Sequence, residues 1–585
     1  MSDDKQTLEL IQAARCEDLV DTQISSLTVV GDFERKVIDT IKGVGAHLLE
    51  GSRGVGKSML LRQAEIEMDR EFLKNRKLAV YISFKTSTLL EGVKVGERDA
   101  FQAWVGAKIL EGLHEKLLTL DLITHESIID PYHEMFGIKS PKTTRTYLQE
   151  KIHDLQKLST ASNKEEIVHQ IGNAFLDKVN DITSLLDAVK HIISQFKLSK
   201  IVFLFDEAAH TFIPAQQEIF FEIFKLLHGG EIAVKAAVYP TITSYGRNFE
   251  VGQDAIRISM DRFDHSIEGR NANKDLFRKM LMKRIPQSSS LHKKVFSKGH
   301  VLDLCVYLST GNPRAFLHLL NGSLEKSQQL TEGFSERAVV LAAQEFVDKE
   351  LIPYHHNLAK RLPKFSSHVK IGINLLRNYV IQELKNKNDS PKKNNDQSAF
   401  FTVRRDMSPH LSLALNILCY SGILADKGTV AVSGKKTGNR YMVHLALMAT
   451  EKAFSATDLT EAIKLLNVRY TKGFVGNDPN FDNYLSDLKE ASEQCASCSA
   501  YLPPNAKFCP ECGSKVEITP IVSALLDESI DSLSISEKIK TRIRNDFPLI
   551  RDILEATLED LKAIPYIKER RSIIIKNAAE EFISG

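Results

Sequence analysis

The sequence predicts a multidomain α/β protein: a parallel-sheet core around a phosphate-binding loop, followed by smaller modules, the last of them all helical. Three observations carry this. A glycine-rich turn at 51–58 separates an apolar strand from a helix. An apolar run at 200–207 ends in two adjacent carboxylates, and two Cys-x-x-Cys pairs stand close together at 495–512. The length agrees, because 585 residues at roughly one domain per 150 leave room for about four.

Composition narrows the class. With 43% hydrophobic and 26% charged residues the chain reads as an ordinary globular protein, which excludes wholesale disorder. A net charge of +2 excludes a globally basic nucleic-acid binder, so any basic surface is local. The amino-terminal stretch MSDDKQTLEL is acidic where a secretory signal is basic and then apolar, and no apolar run approaches the roughly 18 residues of a membrane span. A cytoplasmic protein without a membrane anchor is the expectation. Cys16, Cys305 and Cys419 stand alone on helical stretches and read as reduced, buried small hydrophobes.

Residues Gly51, Ser52, Arg53, Gly54, Val55, Gly56, Lys57 and Ser58 match G-x-x-x-x-G-K-[ST] throughout, between the strand AHLLE and a helix that runs on from Met59. Glycines at 51, 54 and 56 let successive N–H groups converge on a phosphate, and the helix adds the positive end of its dipole. Lys57 is placed for the β and γ phosphates of ATP, and Ser58 for a magnesium ion. The strand KIVFLFDE then brings Asp206 to complete the magnesium shell and Glu207 to orient and polarise the attacking water. Past the next strand, IAVKAAVY at 232–239, a polar side chain would stand beside the γ-phosphate; Thr241, Thr243 and Ser244 are candidates that spacing does not separate. Further on, Gly311, Asn312 and Pro313 open a helix from which Arg314 projects.

The order G-S-R-G-V-G-K-S, F-D-E, a polar turn after the next strand, then G-N-P-R resembles the AAA+ ATPases of the origin-recognition and replication-initiator type, over residues 20 to 330 or so. The resemblance implies a P-loop core over 1–265 and a helical lid over 266–334, and it makes Arg314 the second sensor of the γ-phosphate. It also implies a homo-oligomer in which one subunit supplies an arginine to its neighbour's site; Arg247, Arg257 and Arg262 lie in the right region. The sequence departs from the family pattern twice. The adenine-contacting segment usually carries an adjacent glycine and arginine, whereas VVGDFERK separates Gly31 from Arg35. Residues 86–198 form a long, mostly helical insertion, either a partner-binding module or extra structure.

Beyond the lid, residues 335–460 hold a helix near 411–421 and two alternating strands joined by SGKKTGNR. That is the pattern of a winged-helix domain, with Lys435, Lys436 and Arg440 at a basic wing tip facing DNA phosphates, or else a hairpin with a solvated lysine turn. The stretch LKNKNDSPKKNNDQS at 384–398 is polar and proline-broken, so it reads as a flexible loop or linker. Within 490–517, Cys495 and Cys498 form one Cys-x-x-Cys knuckle and Cys509 and Cys512 another. Four thiolates suit a closed, structural zinc site, with a redox pair or an iron–sulfur site as alternatives. The segment resembles a zinc ribbon, a family that binds nucleic acid or protein. The final module, 520–585, contains LEDLKAIPYIKERR, which resembles helix-hairpin-helix domains and the tail of RNA polymerase α subunits. The usual hairpin glycine is missing there; Arg570, Arg571 and Lys576 are the candidates for DNA contact.

The expected function is a magnesium-dependent ATPase that couples ATP binding and hydrolysis to DNA engagement, with mobile-element maintenance and antiphage defence as the settings its domain string suggests. The alternative is a signalling switch of the STAND kind, whose carboxy-terminal modules bind proteins. Such switches usually carry a repeat array, and no period of about 20 to 50 residues is found here.

Overall fold

The structure, a computed structural model, describes residues 7–8, 10–13, 15–85, 90, 93–95, 98–124, 132–137, 141–158, 164–207, 214–261, 267–361, 365–390, 395–433, 436–455, 458–486, 497–498, 509, 511–514, 525–533 and 535–584. Five runs rich in β-branched and aliphatic residues form a parallel sheet: β1 (Ala46–Glu50), β2 (Lys77–Ser83), β3 (Lys200–Asp206), β4 (Ile232–Val238) and β5 (Ile256–Ser259), in the order β2-β3-β4-β1-β5. The middle strands are buried on both faces, as parallel strands flanked by helices must be. Register decides where the chemistry lies. Glu50 pairs with Val238 and Phe205 with Ala236, so the carboxyl ends of β1, β4 and β3 come out level, and the loops leaving them meet at one edge.

Helix α1 (Asp32–Lys42) and helix α2 (Lys57–Asn75) cover one face, where Val37, Ile38 and Ile41 meet Leu61, Ala64, Ala79 and Val202. On the other face lie α3 (Ala100–Thr119) and α4 (Pro214–Leu227), whose Trp104, Leu113, Phe220 and Phe224 pack on Val80, Phe203 and Phe205. The segment expected as an insertion therefore shares the core of the sheet. Its α3 approaches β2 so closely that a Cβ on Gly112 would stand 2.9 Å from Ile82 Cγ1.

A second continuous core runs from Phe277 of α5 (Ile267–Arg284) through α6 (Pro313–Ser327) and α7 (Glu336–Phe346) to Leu485. A π-helical turn over Val347–Leu351 joins α7 to α8 (Ile352–Arg361), where Pro353 has no N–H to continue the α-helical ladder. Then come α9 (Ser366–Leu375) and α10 (Pro409–Tyr420), with a sheet in the order β9-β6-β8-β7 built from β6 (Phe400–Arg404), β7 (Leu424–Ser433), β8 (Lys436–Val443) and β9 (Lys472–Phe474). The expected helix-then-hairpin order is present, but the strands extend to Ser433 and resume at Lys436, so the connection is shorter than SGKKTGNR. Arg440 consequently lies within central β8, opposite Thr402, and not at a tip. Of the stretch expected as a linker, residues 384–390 and 395–398 are described, and they are anchored as well. Leu384 is buried, and Asn388 donates to the Ser398 and Ala453 carbonyls at 2.9 and 2.7 Å while accepting from Ser398 N–H, which satisfies backbone groups that a free loop leaves to water.

The carboxy-terminal module has its own core of Ile530, Ile543, Ile553, Leu561, Ile575 and Phe582, closed by α11 (Glu569–Ser584). Among the described residues no helix is long and apolar enough to cross a membrane.

Candidate active site

The loop after β1 needs its glycines. Gly54 and Gly56 hold φ of 80° and 96°, a region that side chains disfavour, and Gly56 caps α2. A Cβ on Gly51 would stand 2.8 Å from Val55 and 2.9 Å from Met260. Lys57, the first residue of α2, is buried and donates to the carbonyls of Gly51 at 2.6 Å and Ser52 at 3.1 Å. Its ammonium lies 4.1 Å from the centre of the Tyr239 ring, and burial pulls its pKa down to about 7. A phosphate entering the loop supplies the counter-charge that the carbonyls and the ring only partly provide.

Asp206 ends β3, buried between the phosphate loop and β2. It accepts from the Tyr81 hydroxyl at 2.8 Å, and a hydrogen bond from Ser58 joins the two expected magnesium ligands. Burial raises the Asp206 carboxyl above the usual range, and these two hydrogen bonds draw it back. Glu207 is held at φ 58°, its N–H donating to Asp206 Oδ1 at 3.0 Å. Such a backbone for a non-glycine residue is strained and persists only where the surroundings enforce it. Burial pushes Glu207 up to about 8, against the pull of nearby Lys85, which pairs with Glu17 at 3.4 Å. Lys57, Ser58, Asp206, Glu207 and Arg314 thus line one cavity together with Arg53, Tyr239 and Glu17.

The polar residues expected after β4 are elsewhere. Thr241 donates to the carbonyls of Pro240 at 2.6 Å and Asn416 at 3.3 Å in an exposed turn. Thr243 donates to Tyr239 O at 2.7 Å, and Ser244 N–H donates to Gln217 Oε1. Tyr239 occupies the cavity instead. It is the first residue past β4, and the Pro240 turn carries the threonines away; the pairing of Gly51 N–H with Val238 O shows that a residue directly after the strand is level with the loop.

The lid meets the loop through its own amino-terminal cap. Asn312 Oδ1 accepts from the N–H groups of Arg314 at 3.0 Å and Ala315 at 3.2 Å, and its Nδ2 donates to Arg53 O at 2.6 Å. A Cβ on Gly54 would stand 2.7 Å from both Asn312 Oδ1 and Arg314 Cβ. Behind this contact is a mostly apolar slot lined by Leu19, Val29, Met59, Leu60, Phe277 and Leu317, open to Gly54 and Gly56 and suited to a flat base. Arg35 turns away to Glu67 at 2.9 Å, and Glu34 faces the slot. Of the arginines considered for a neighbour's site, Arg247 is exposed, Arg257 pairs with Glu50 at 3.3 Å, and Arg262 lies outside the described residues.

A family model described as ORC-CDC6-like matches residues 11–304, half of the chain. The chain belongs to the ORC-CDC6-like family. With the phosphate loop and acidic pair described above, it is an ATP-binding P-loop ATPase of the AAA+ type. Solved structures similar to this ORC-CDC6-like chain include the Aeropyrum pernix ORC1 protein in complex with DNA (13% identity, 74% of this chain and 93% of that one, TM-score 0.32). A Walker-type ATPase of Pyrococcus abyssi is also similar (13% identity, 72% and 94%, TM-score 0.34). A third is the Aeropyrum pernix ORC2 protein (10% identity, 78% and 93%, TM-score 0.31). No curated protein matches the chain.

In the carboxy-terminal half of this ORC-CDC6-like ATPase, the sulfurs of Cys498, Cys509 and Cys512 lie within 4.8 Å of one another, and Cys498 and Cys509 are 3.6 Å apart. Four sulfurs at about 2.3 Å around zinc stand roughly 3.8 Å apart, so the donor set fits. Gly513, at φ 71°, closes the second knuckle. Cys495 lies outside the described residues, as does Lys435. Lys436 is the first residue of β8. Arg571 stacks on Tyr566 at 3.8 Å and donates to its carbonyl at 2.8 Å. Tyr566 takes φ 77°, filling the place of the missing hairpin glycine. Arg570 lies half-buried beside it on α11. Lys576, in contrast, donates to the carbonyls of Ile553, Leu554 and Ala556 at 3.1, 2.7 and 2.6 Å, so it caps the helix Ile550–Glu555 from inside the module.

Proposed function

We propose that this ATPase uses its nucleotide state to control how its carboxy-terminal modules engage DNA. The observation that carries the reading is the docking of α10, the helix expected in a DNA groove, onto the turn beside the phosphate loop. Tyr420 meets Tyr239 edge-to-face at 5.2 Å, and Asn416 O accepts from Thr241. Anything that draws α10 toward DNA disturbs a residue that touches Lys57, and a nucleotide that recruits Lys57 disturbs the seat of α10.

Lys57 and the loop N–H groups hold the phosphates, Arg314 reads the γ-phosphate from the lid, and Glu207 accepts the proton of the attacking water. Ser58 and Asp206 are the residues that would hold Mg2+, which neutralises phosphate charge when bound. The cysteines would hold a structural Zn2+, and assembly into a homo-oligomer follows from the family reading. Fluorescence anisotropy of labelled duplex and single-stranded DNA, titrated with the protein in ATP and ADP at several salt concentrations, tests this. Affinity should differ between the nucleotides and fall steeply with salt, as phosphate contacts demand; equal affinity in both nucleotides contradicts the reading.

A second reading, a switch released by a protein trigger, is favoured by α11. Its Asn577 donates to Asp18 at 3.1 Å, in the amino-terminal turn whose Cys16 and Glu17 line the nucleotide cavity. In that case a protein that removes the last module would raise turnover, and DNA would leave it unchanged.

A further inference from the structure

The phosphate loop carries a second cation, Arg53, that cradling phosphates does not require. Its backbone is fixed at the apex of the loop, where Asn312 Nδ2 donates to its carbonyl at 2.6 Å. Its guanidinium donates to the Tyr354 hydroxyl at 2.8 Å, with Cζ 5.4 Å from the centre of that ring. It lines the same cavity as Glu207, Lys57 and Tyr239 and acts electrostatically on all three. Tyr354 sits on α8, directly after the π-helical turn, and packs in one small cluster with Tyr239, Ile417 and Tyr420, so it shares a core with α10. Lys360 on the same helix pairs with Glu528 of the carboxy-terminal module at 2.9 Å.

We infer that Arg53 is a catalytic arginine acting in cis, which leaves Tyr354 for the γ-phosphoryl oxygens of its own chain's ATP, and that Tyr354 withholds it until α8 and α10 shift. In the step it serves, a water oxygen bonds to the γ phosphorus and the bond from that phosphorus to the β–γ bridging oxygen breaks. The electron pair leaves with ADP, and the water proton passes to Glu207 in its ionised form. Arg53 gives up no proton; its planar fork offsets charge that builds on the transferred group and the leaving oxygen.

The test is ATP turnover of the full chain at saturating ATP, with nucleotide affinity measured separately. Arg53→Ala should lower kcat by about a thousandfold while changing ATP affinity only a few-fold, and Arg53→Lys should recover little of the rate. Tyr354→Phe should raise the rate without DNA several-fold. Mixing Arg53→Ala with Glu207→Gln decides between cis and trans: the mixture should stay inactive at every protein concentration. Recovered activity would show the arginine serving a neighbour's nucleotide and overturn the inference. Full turnover in Arg53→Ala or Arg53→Lys would overturn it too, and an unchanged Tyr354→Phe would overturn the withholding role. Absence of turnover in the wild type itself, with or without DNA, would strike the ATPase assignment instead.

Discussion

Glu207 shows how much a single residue can carry. Its positive φ and its burial beside Asp206 hold a protonatable carboxyl in the cavity that Lys57 and Ser58 line. Glu207→Gln keeps the size and removes the proposed base, so turnover should fall by a factor of about 10² to 10⁴ while ATP still binds, checked by single-turnover hydrolysis against nucleotide binding. Gly54→Ala attacks the same site through sterics alone. The new methyl would press on Asn312 and Arg314 at a φ of 80°, so ATP affinity should drop at least about tenfold through lost lid contact, read by calorimetry, with little change in the far-ultraviolet dichroism. At this scale the sequence shows whatever is contiguous. The loop glycines, Lys57, Ser58 and the Asp206–Glu207 pair are local patterns with local geometry. Tyr239 and Glu17 line the cavity, while Tyr81, Tyr354 and Lys85 contact Asp206, Arg53 and Glu17 from behind it; these residues come from four separate stretches of chain, and only tertiary packing assembles them. Thr241 misled because a sequence does not show that its strand stops at Val238 and turns at Pro240.

At the scale of elements, α8, α9 and α10 are fastened by one histidine. His355 Nε2 donates to Val369 O at 2.9 Å, which leaves Nδ1 to accept from Ser421 at 2.9 Å. Burial pulls His355 down to about 4, so between pH 6.5 and about 4 the unfolded chain binds the extra proton. The stability contributed by the neutral ring is complete above pH 6.5 and is lost as pH falls through that window, on the order of 3 kcal/mol. Thermal melts of the wild type should lose their upper transition steeply below pH 6, and His355→Phe should flatten that dependence while lowering the plateau. The carboxy-terminal module offers a contrast. Lys576→Met removes the ammonium that caps the helix Ile550–Glu555, so the module should lose about 1–3 kcal/mol in chemical denaturation while the salt dependence of DNA binding is unchanged. The helix Pro409–Tyr420 and the two strands after it were legible from periodicity, but β6 and β9, which complete their sheet, were not read. The extent of the β7–β8 hairpin and the anchoring of residues 384–390 and 395–398 were not legible either, because Asn388 reads as a loop former and yet satisfies the backbone of a buried corner.

For the whole molecule, the nucleotide cavity is the meeting point of parts remote in sequence. The lid touches the loop through Asn312, α8 through Tyr354, α10 through Tyr239, and α11 rests on the turn that bears Glu17. A site bordered by so many elements can hardly change occupancy without moving one of them, and the two expected DNA-facing modules are among its borders. ATP turnover of the wild type and Glu207→Gln, each with no DNA, duplex DNA and single-stranded DNA, measures that coupling most directly. One form of DNA should stimulate the wild type, and the mutant should stay silent in all three conditions. Turnover in the wild type that is the same with and without DNA would contradict the coupling.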